Sequence, residues 1–522
     1  MSFDVAVVGA GPAGLAAAVH AADAGLHVVL VDAGQQPGGQ YWRHRDESAN
    51  ASVQAAASGP GGRGAGPAGG GGGEGQGHHD WKRFVDLRSR LYSHEAAGRL
   101  RYLRGTQVWL VEAPTAGGSR TVRLSPTVDV PPPRGPQGGG GALDAPGRPG
   151  SVQAAHLILC PGGYDRQLPV PGWDLPGVMA AGGVQALLKG NMTTPGGVGV
   201  VGGTGPFLLP VATALAAAGV KVAAICEANS PTGWLRNAAG AVKAPEKAVE
   251  GVEYAAALAR HRIPYRTRTA VTEIHGKNTV EAVTLSRLAP DGTVLAGTGR
   301  RVACDFVALG WGFTPSLELV LAVGAATTVD LDGSLVAVVD KRLFSSVPGV
   351  SVAGEATGIG GAAMAVVEGE LAALGVAAVR PGAAGASLSG QRIARLQKER
   401  ARLRGFAVAM HRANPVPARW HSWLTADTVV CRCEEVSYGE LCNARTLLGA
   451  EDARSLKSFA RPGMGWCQGR VCGFATAEIA ADLAGRATSA DDLRAMSKRS
   501  LAAPVTLGRL AALHDGDGAA HH

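Results

Sequence analysis

The chain has 522 residues, too many for one typical domain, so we expect three or more folding units. Its hydrophobic content of 46% can fill sizeable cores. Its net charge of +8 is not accompanied by a motif that reads nucleic acid, so nucleic-acid binding is only a minor alternative. No leader pattern opens the sequence, and its most apolar long run, 207–226, is interrupted by Pro210, Gly219 and Lys221, so we expect a cytoplasmic protein without a membrane span.

The first motif is a glycine-rich turn between a strand pattern and a helix pattern. The apolar run 5–8 leads into Gly9, Gly11 and Gly14, and alanine-rich residues follow. Gly9 allows a tight turn, Gly11 lets the backbone approach a pyrophosphate, and Gly14 lets the helix pack against the strand. The next apolar strand ends in Asp32, whose carboxylate can bind ribose hydroxyls. The spacing predicts a dinucleotide site; the alternative is a glycine-rich turn in an ordinary α/β domain.

Two low-complexity stretches interrupt this first unit. Residues 51–77 are rich in glycine and alanine, and residues 113–150 contain a proline triplet and a run of four glycines. Such composition cannot build a core, so both stretches are interpreted as disordered surface insertions. Between them we expect a helix and then a strand at 106–111. The helix begins near Trp81, and its buried positions are predicted to be Phe84, Leu87, Leu91 and His94.

A second strand–turn–helix pattern lies in the middle of the chain. Its turn contains Gly203, Gly205 and Pro206, and the strand after it ends in Glu227. This order predicts a second Rossmann-like unit. Leu208 takes the place of the third glycine, so occupancy by NAD(P) or another adenine nucleotide stays open.

The chain then returns to its first unit. Three alternating stretches predict a small antiparallel sheet: 271–274, 280–285 and 293–295. A buried strand is expected at 302–309, and a later one, 350–353, ends in Gly354 and Glu355 before a glycine-rich helix start. This acid and helix N-terminus are placed to face the ribityl and pyrophosphate part of a flavin.

A basic stretch leads to the C-terminal region. After a linker at 381–390, Leu396, Leu403 and Phe406 recur among seven basic side chains. We interpret the stretch as an amphipathic helix with a solvated basic face. The basic residues are Arg392, Arg395, Lys398, Arg400, Arg402, Arg404 and Arg412.

Four of the eight cysteines form two close pairs near the C-terminus, and they are Cys431, Cys433, Cys467 and Cys472. Four thiolates hold a [2Fe–2S] cluster, and backbone N–H groups around it tune its potential; structural zinc is the alternative. Cys442 falls in a helix pattern at 438–448 and is expected to be a buried thiol. The remaining cysteines, Cys160, Cys226 and Cys304, lie at strand ends, and the absence of a Cys-x-x-Cys pair argues against a dithiol centre.

The order of these motifs resembles that of two-dinucleotide-domain flavoproteins of the disulfide-reductase type. The resemblance implies FAD bound by the first unit. The chain departs from the family pattern where Cys160-Pro161-Gly162 replaces Ala-Thr-Gly and where Glu355 replaces Asp. The residues that the resemblance assigns to FAD are Gly9, Gly11, Pro12, Ala13, Gly14, Asp32, Gly39, Gln40, Val108, Gly162, Gly354, Glu355 and Gly361.

A narrower resemblance is to the α subunits of multi-subunit amine oxidoreductases: opine oxidases, hydrogen cyanide synthase, D-hydroxyproline dehydrogenase and part of heterotetrameric sarcosine oxidase. It is strongest at 431–436 and 463–470, which resemble the bacterioferritin-associated-ferredoxin-like [2Fe–2S] module, and includes 37–40, 164–166, 171–173, 178–179 and 354–361. It implies a partner β subunit that carries its own flavin and oxidises the amine or imino acid. An FMN at the subunit interface and a small ferredoxin-like subunit stay open.

The expected fold is α/β, with two Rossmann-like dinucleotide-binding domains and a small α-rich [2Fe–2S] module. The expected limits are 1–180 and 310–380 for the FAD-binding domain, 181–309 for the second Rossmann-like domain, 381–420 for linker and basic helix, 421–490 for the cysteine module and 491–522 for a tail.

Three functions are weighed. The leading one is an FAD- and [2Fe–2S]-containing oxidoreductase subunit that divides a hydride equivalent into single electrons. The second is a stand-alone NAD(P)H-dependent reductase in which Glu227 recognises NAD(P), with an iron–sulfur or quinone acceptor; the missing third glycine counts against it. The third is a non-catalytic iron–sulfur sensor or docking protein. No side chain stands out as a catalytic acid, base or nucleophile, so the catalytic residues, substrate and electron acceptor stay unknown.

Overall fold

A computed structural model describes residues 2–45, 80–115, 117–127, 149–243, 245–379 and 386–517. The elements of the first part are β1 (Ser2–Val8), α1 (Pro12–Asp23), β2 (Val28–Val31), α2 (Trp81–Ala96), β3 (Leu100–Leu103), β4 (Thr106–Val111), β5 (Arg120–Pro126), β6 (Ser151–Leu159), β7 (Gly163–Asp165) and β8 (Val178–Ala180). As expected, α2 buries Phe84, Leu87, Leu91 and His94.

The first sheet has a parallel centre in the order β3-β2-β1-β6. The beginning of β6 also pairs with antiparallel β5, which pairs with β4 at the sheet edge. All four residues of β2 are buried, as expected for a parallel strand covered on both faces. The carboxyl ends of β1 and β2 therefore lie side by side, which brings Gly9 and Asp32 together.

The middle part forms a second sheet and an antiparallel excursion. Its elements are α3 (Ala181–Ala186), a π-helical turn (Leu187–Asn191), β9 (Val198–Gly203), α4 (Leu208–Ala217), β10 (Lys221–Glu227), α5 (Thr232–Arg236), α6 (Ala238–Ala241), α7 (Pro245–Arg260), β11 (Tyr265–Thr267), β12 (Thr269–His275), β13 (Ala282–Arg287), β14 (Arg300–Ala303) and β15 (Phe306–Gly310). The second sheet is parallel in the order β11-β10-β9-β15-β8, and β12, β13 and β14 form the antiparallel sheet.

The chain then rejoins the first sheet. The elements are β16 (Phe313–Pro315), α8 (Glu318–Ala322), β17 (Thr327–Val329), β18 (Leu335–Ala337), β19 (Val350–Val352), a 3-10 turn (Gly354–Thr357) and α9 (Ala362–Val379). Strand β19 pairs in parallel with the last three residues of β6, and β16 pairs with β7. Helix α9 is apolar and long enough to cross a membrane, but 72% of it is buried, and it packs against α1.

The C-terminal part is largely helical. Its elements are α10 (Ala386–Ala413), a 3-10 turn (Trp420–Trp423), β20 (Val429–Cys431), β21 (Val436–Ser437), α11 (Tyr438–Leu448), α12 (Ala453–Ala460), α13 (Gly473–Leu483), α14 (Ala490–Ser497) and α15 (Leu507–Asp517). Capping boxes at Ser437, Asp452 and Ser489 fix the starts of α11, α12 and α14. Trp173, between β7 and β8, donates its indole N–H to the Val429 carbonyl at 2.5 Å, which ties this region to the first part.

The structure corrects three expectations. Residues 120–126 of the expected second insertion form β5, because alternating Val122 and Leu124 fill the core. Of the rest of 113–150, residues 116 and 128–148 lie outside the described residues. All of the first expected insertion, 51–77, also lies outside them. The third antiparallel strand is β14 rather than 293–295, where Val294 makes only an isolated bridge.

The third correction concerns the basic helix. Helix α10 begins at 386, inside the expected linker, and its basic face is not simply solvated. Arg392 pairs with Glu370, Arg400 pairs with Glu368, and Arg404 pairs with Asp330. Glu368 and Glu370 are buried in α9, and half-buried Asp330 follows β17, so the helix docks on these elements through its charges.

Candidate functional site

The first glycine turn brings an acid and backbone donors together. Asp32 follows β2, and its two carboxylate oxygens accept hydrogen bonds from the Ala10 and Gly34 N–H groups at 3.0 and 3.1 Å. Burial raises the pKa of Asp32, and these two donors oppose the rise. The side chain is half-buried, so the carboxylate remains accessible to the hydroxyl groups of a ligand.

The glycines of this turn have two different roles. A Cβ at Gly9 would overlap the Cys160 carbonyl, and one at Gly14 would overlap the Gly9 carbonyl, so both glycines permit close packing. At Gly11, no atom of the described residues lies within 4 Å of the position that a Cβ would take. Helix α1 begins immediately afterwards at Pro12. The turn therefore presents an open helix N-terminus, which suits a pyrophosphate.

The return loop 354–361 reaches the same helix N-terminus from the other end of the chain. Gly354 has a φ of +82°, and a Cβ there would lie 2.9 Å from the Cβ of Ala13. The Glu355 carboxylate accepts hydrogen bonds from two glycine N–H groups of its own loop, at 3.3 and 3.0 Å. Burial raises the pKa of Glu355 to about 7. The described surroundings leave open space at Gly361, so this loop offers a second face to a cofactor.

The other predicted FAD residues differ in how much of each is left free to contact a cofactor. Gly39 lies against the turn, since a Cβ there would be 2.8 Å from the Cα of Gly11, and exposed Gln40 follows it. Gly162, just after β6, also has open space where a Cβ would be, within the described part of the chain. Val108 has its side chain buried in the core of β4, so only its backbone is left to contact a cofactor.

The acid of the second glycine turn is buried and accepts hydrogen bonds through both carboxylate oxygens. The Glu227 carboxylate accepts hydrogen bonds from the Gly205 N–H at 2.8 Å, the Asn229 N–H at 2.9 Å and the Thr204 hydroxyl at 3.1 Å. Its exposed fraction is only 4%. Burial raises its pKa and these donors oppose the rise.

The segment after α10 closes this second turn. Asn229 donates to the Pro415 carbonyl at 2.8 Å, and the Thr204 hydroxyl oxygen lies 3.4 Å from the Asn414 carbonyl oxygen. Helix α4 begins only at Leu208, so Pro206 lies in the preceding turn, unlike Pro12 in the first motif. The Gly203 strand end packs against the Gly310 backbone. The four predicted residues of this site are thus brought together, but under a cover supplied by the chain itself.

The four predicted cluster ligands lie at one end of the C-terminal part. Cys431 ends β20 and Cys472 precedes α13, and both are buried, whereas Cys433 is exposed and Cys467 is half-buried. A hydrogen bond from Cys472, together with the Gly463 N–H at 3.4 Å, lowers the pKa of Cys431 to about 6. Cys433 and Cys467 also interact, and burial raises the pKa of Cys433.

The donor chemistry of this group fits a four-thiolate centre. A Cβ at Gly465 would overlap the Cβ of Cys433, so glycine lets the second cysteine loop approach the first. Cys442 lies apart on α11, beside Tyr438. Among the described residues, no three His, Cys, Asp or Glu side chains already form a metal-coordination sphere. The thiols are therefore gathered but not arranged around an ion.

A polar network joins the loop 463–472, which carries Cys467 and Cys472, to strand β7 and helix α8. Arg470 donates through Nε to the Tyr164 hydroxyl at 2.8 Å, and Tyr164 donates to Glu318 Oε1 at 2.9 Å. Arg499 reaches the same carboxylate oxygen at 2.9 Å. Burial favours the neutral form of Glu318, but Arg470, Ser316 and Arg499 hold its pKa below the ordinary value.

The protein family follows from comparison with known proteins. The family model described as "Pyridine nucleotide-disulphide oxidoreductase" matches residues 3–369. The chain belongs to this family. It is an FAD-dependent oxidoreductase with the mixed α/β, Rossmann-like fold described above. The match ends inside α9, so it covers both dinucleotide units and not the cysteine region.

Sequence similarity to known proteins also covers the C-terminal part of this oxidoreductase. An opine oxidase subunit from Agrobacterium tumefaciens (strain Ach5) is 31% identical over 519 residues, covering 98% of this chain and 92% of that protein. The hydrogen cyanide synthase subunit HcnB of Pseudomonas aeruginosa is 33% identical over 330 residues, 63% of this chain and 71% of that protein. L-proline dehydrogenase from P. horikoshii shares the fold, with a TM-score of 0.58, 18% identity, and coverage of 98% of this chain and 79% of that chain.

Sequence reasoning missed the charged contacts that support the site. Glu318, Glu368 and Arg400 were not identified as functional residues, because their partners are distant in the chain. A signal was present, since Glu368 and Glu370 are the only charged residues in the otherwise apolar helix α9. Buried carboxylates in such a helix require cationic partners, and the seven basic residues of α10 were the obvious source.

Proposed function

We propose that this oxidoreductase is the electron-transferring α subunit of a heteromeric amine, imino-acid or opine dehydrogenase or oxidase, and that it holds FAD and one [2Fe–2S] cluster. The observation that carries the proposal is the position of Arg470. It lies between Cys467 and Cys472 and hydrogen-bonds Tyr164, two residues beyond Gly162 of the proposed FAD site. A side-chain hydrogen bond thus joins the residues that lie next to the two proposed redox sites.

The chemistry of the two groups supports this division of labour. FAD takes up two electrons as a hydride equivalent, and a [2Fe–2S] cluster passes electrons one at a time. In the proposed arrangement the chain binds FAD at the open N-terminus of α1 and between Asp32 and Glu355. Cys431, Cys433, Cys467 and Cys472 hold the cluster, with the Gly463 N–H directed at a ligand sulfur.

The names of the relatives support a complex. Opine oxidase and hydrogen cyanide synthase proteins that match this chain are named as subunits. We infer that the chain is cytoplasmic and works with a β subunit that carries its own flavin and oxidises a CH–NH donor. An FMN at the interface and a small ferredoxin-like subunit are further members to be sought. The cysteine module is proposed to span 421–490, after the FAD-binding parts 1–180 and 310–380 and the second Rossmann-like domain 181–309.

The closed second turn argues against a stand-alone NAD(P)H-dependent reductase. Glu227 is buried, with an exposed fraction of 4%, and Asn229 beside it donates to the Pro415 carbonyl of the covering segment. An incoming ribose would have to displace these contacts and the 414–415 segment. We therefore assign electron entry to the partner β subunit rather than to a nicotinamide dinucleotide.

The test compares two cysteine variants of the full chain. Cys433→Ala should lose iron and inorganic sulfide, because four-thiolate ligation leaves no spare ligand. Cys442→Ala is the matched control and should retain both, since Cys442 lies on α11 outside the group. Iron and sulfide analysis and paramagnetic resonance of the reduced protein are the measurements, and both variants should keep FAD.

Two outcomes would contradict the cluster assignment. One is stoichiometric zinc without iron in protein made under anaerobic, iron-replete conditions, which would leave a structural site. The other is iron retained in Cys433→Ala but lost in Cys442→Ala, which would assign a different ligand set.

A further inference from the structure

We propose that the buried ion pair between Glu368 and Arg400 positions the loop 354–361 for FAD. Both side chains lie outside the dinucleotide motifs and act through the loop, so they are positioning residues. The inference rests on the assignment of this loop to FAD and does not depend on the cluster.

The Glu368 carboxylate divides its two oxygens between the helix and the loop. Oε1 accepts a hydrogen bond from Arg400 Nε at 2.7 Å. Oε2 accepts hydrogen bonds from the Gly354 N–H at 2.8 Å and the Thr357 hydroxyl at 2.7 Å. The side chain is fully buried, and a buried carboxylate without a cation is strongly disfavoured. Arg400 therefore stabilises the anion that holds the loop.

The Gly354 N–H group, which donates to Glu368, lies close to the N-terminus of α1, where the FAD pyrophosphate is proposed to bind. Gly354 lies against Ala13 in the first turn of α1, and Gly369, next to Glu368, packs on the Ala13 carbonyl. Glu355 follows Gly354 directly. A displacement of the Gly354 N–H would therefore move the loop relative to α1 and change both proposed FAD contacts together.

Helix α10 contacts the same loop at two more points. The Arg404 guanidinium lies where a side chain at Gly358 would project, while it pairs with Asp330. His411 donates through Nε2 to the Ile359 carbonyl at 2.8 Å. Arg400, Arg404 and His411, on three turns of α10, thus all support the loop 354–361. A helix that docked only for stability would not need to direct all three side chains at one loop.

A neighbouring ion pair provides the matched control. Arg392 and Glu370 join the same two helices, at 2.6 and 2.9 Å. Glu370 also faces His20 of α1, at 3.7 Å, and in the described part of the chain it makes no hydrogen bond to the loop. Loss of this pair should weaken helix docking without moving the flavin-facing backbone.

The experiment titrates FAD into flavin-free full-length variants and measures the midpoint potential of the bound flavin. Arg400→Met should raise the Kd for FAD about tenfold and shift the midpoint potential of the bound flavin, because the loop that contacts the cofactor is displaced. Arg400→Lys should recover part of both changes, and Arg392→Met should stay within about twofold of wild type. Thr357→Val, which removes only the loop-side donor, should act in the same direction as Arg400→Met.

Two results would overturn the inference. One is an equal effect of Arg400→Met and Arg392→Met on FAD affinity and midpoint potential. The other is wild-type affinity and potential in both Arg400→Met and Thr357→Val. Glu355→Ala separates this result from an error in the loop assignment. If Glu355→Ala binds FAD as wild type does, the loop is not part of the FAD site. If it loses FAD while the Arg400 and Thr357 variants do not, only the positioning role fails. If Arg400→Met does not fold, Thr357→Val and Arg400→Lys decide the question by the same criteria.

Discussion

At the scale of single residues, a substitution at Gly11 is expected to abolish cofactor binding without affecting folding. Its backbone is extended, with φ −68° and ψ −174°, and the described residues leave space around it, so valine fits the protein itself. The branched side chain would occupy the place of the pyrophosphate. Gly11→Val should therefore purify folded and without yellow colour, which the flavin absorbance measures. A wild-type flavin content would remove Gly11 from the site.

Gly14→Ala is the companion variant with the opposite expectation. A Cβ there overlaps the Gly9 carbonyl, so the helix must move away from the strand whether or not FAD is present. The free energy of unfolding of the flavin-free protein should fall by about 1–3 kcal/mol, whereas Gly11→Val should leave it nearly unchanged. Denaturant titration of the two apoproteins distinguishes the packing glycine from the ligand-facing one.

His156 makes stability depend on pH. It lies on β6, its Nε2 forms a hydrogen bond with the Ser351 hydroxyl at 2.9 Å, and burial lowers its pKa to about 4. Between pH 6.5 and 4 the unfolded chain binds a proton that the folded chain excludes, so stability is fully present above pH 6.5 and falls as the pH drops through this window. The loss attributable to His156 is at most about 3 kcal/mol.

The variant His156→Gln should flatten this part of the pH profile, because glutamine keeps a polar contact to Ser351 but does not titrate. Urea midpoints of wild type and variant, measured at several pH values from 4.5 to 7.5, provide the test. Parallel profiles would show that other groups cause the acid sensitivity.

At the scale of elements, the strongly patterned segments were predictable and the long-range pairings were not. The helix with buried Phe84, Leu87 and Leu91 was confirmed because its apolar spacing is complete within one stretch. Strand β5 was missed because Val122 and Leu124 sit in a glycine- and proline-rich context whose composition outweighed a short alternation. The basic face of α10 was misread as solvated, because the signal for its partners lies in another helix, in the two glutamates of the otherwise apolar α9.

The closure of the second turn leads to a prediction about reductants. The 414–415 segment covers the position that a dinucleotide would need, so NADH or NADPH should not bleach the bound flavin under anaerobic conditions. Dithionite, a small reductant that does not require the turn, should bleach it completely and serves as the control. Rapid, saturable bleaching by either nicotinamide dinucleotide would mean that the segment opens.

At the scale of the whole molecule, the proposed division of labour predicts inactivity of the isolated chain. The sequence shows no paired acid and base for amine oxidation, and the relatives that match nearly the full chain are named as subunits. The purified chain should therefore oxidise no amine, imino acid or opine appreciably with an artificial acceptor, although its FAD is reducible by dithionite. Steady turnover by the isolated chain would contradict the need for a partner.

The return of β19 to β6 determines when the chain can capture its cofactor during synthesis. The glycine turn and Asp32 leave the ribosome early, but the strand that completes their sheet follows only after the entire second sheet. Until then the carboxyl end of β6 is an unpaired edge, and the turn has only one of the two faces that are proposed to hold FAD. Flavin supply is therefore expected to influence how much newly made chain escapes proteolysis, because both proposed faces of the FAD site are present only in the finished fold.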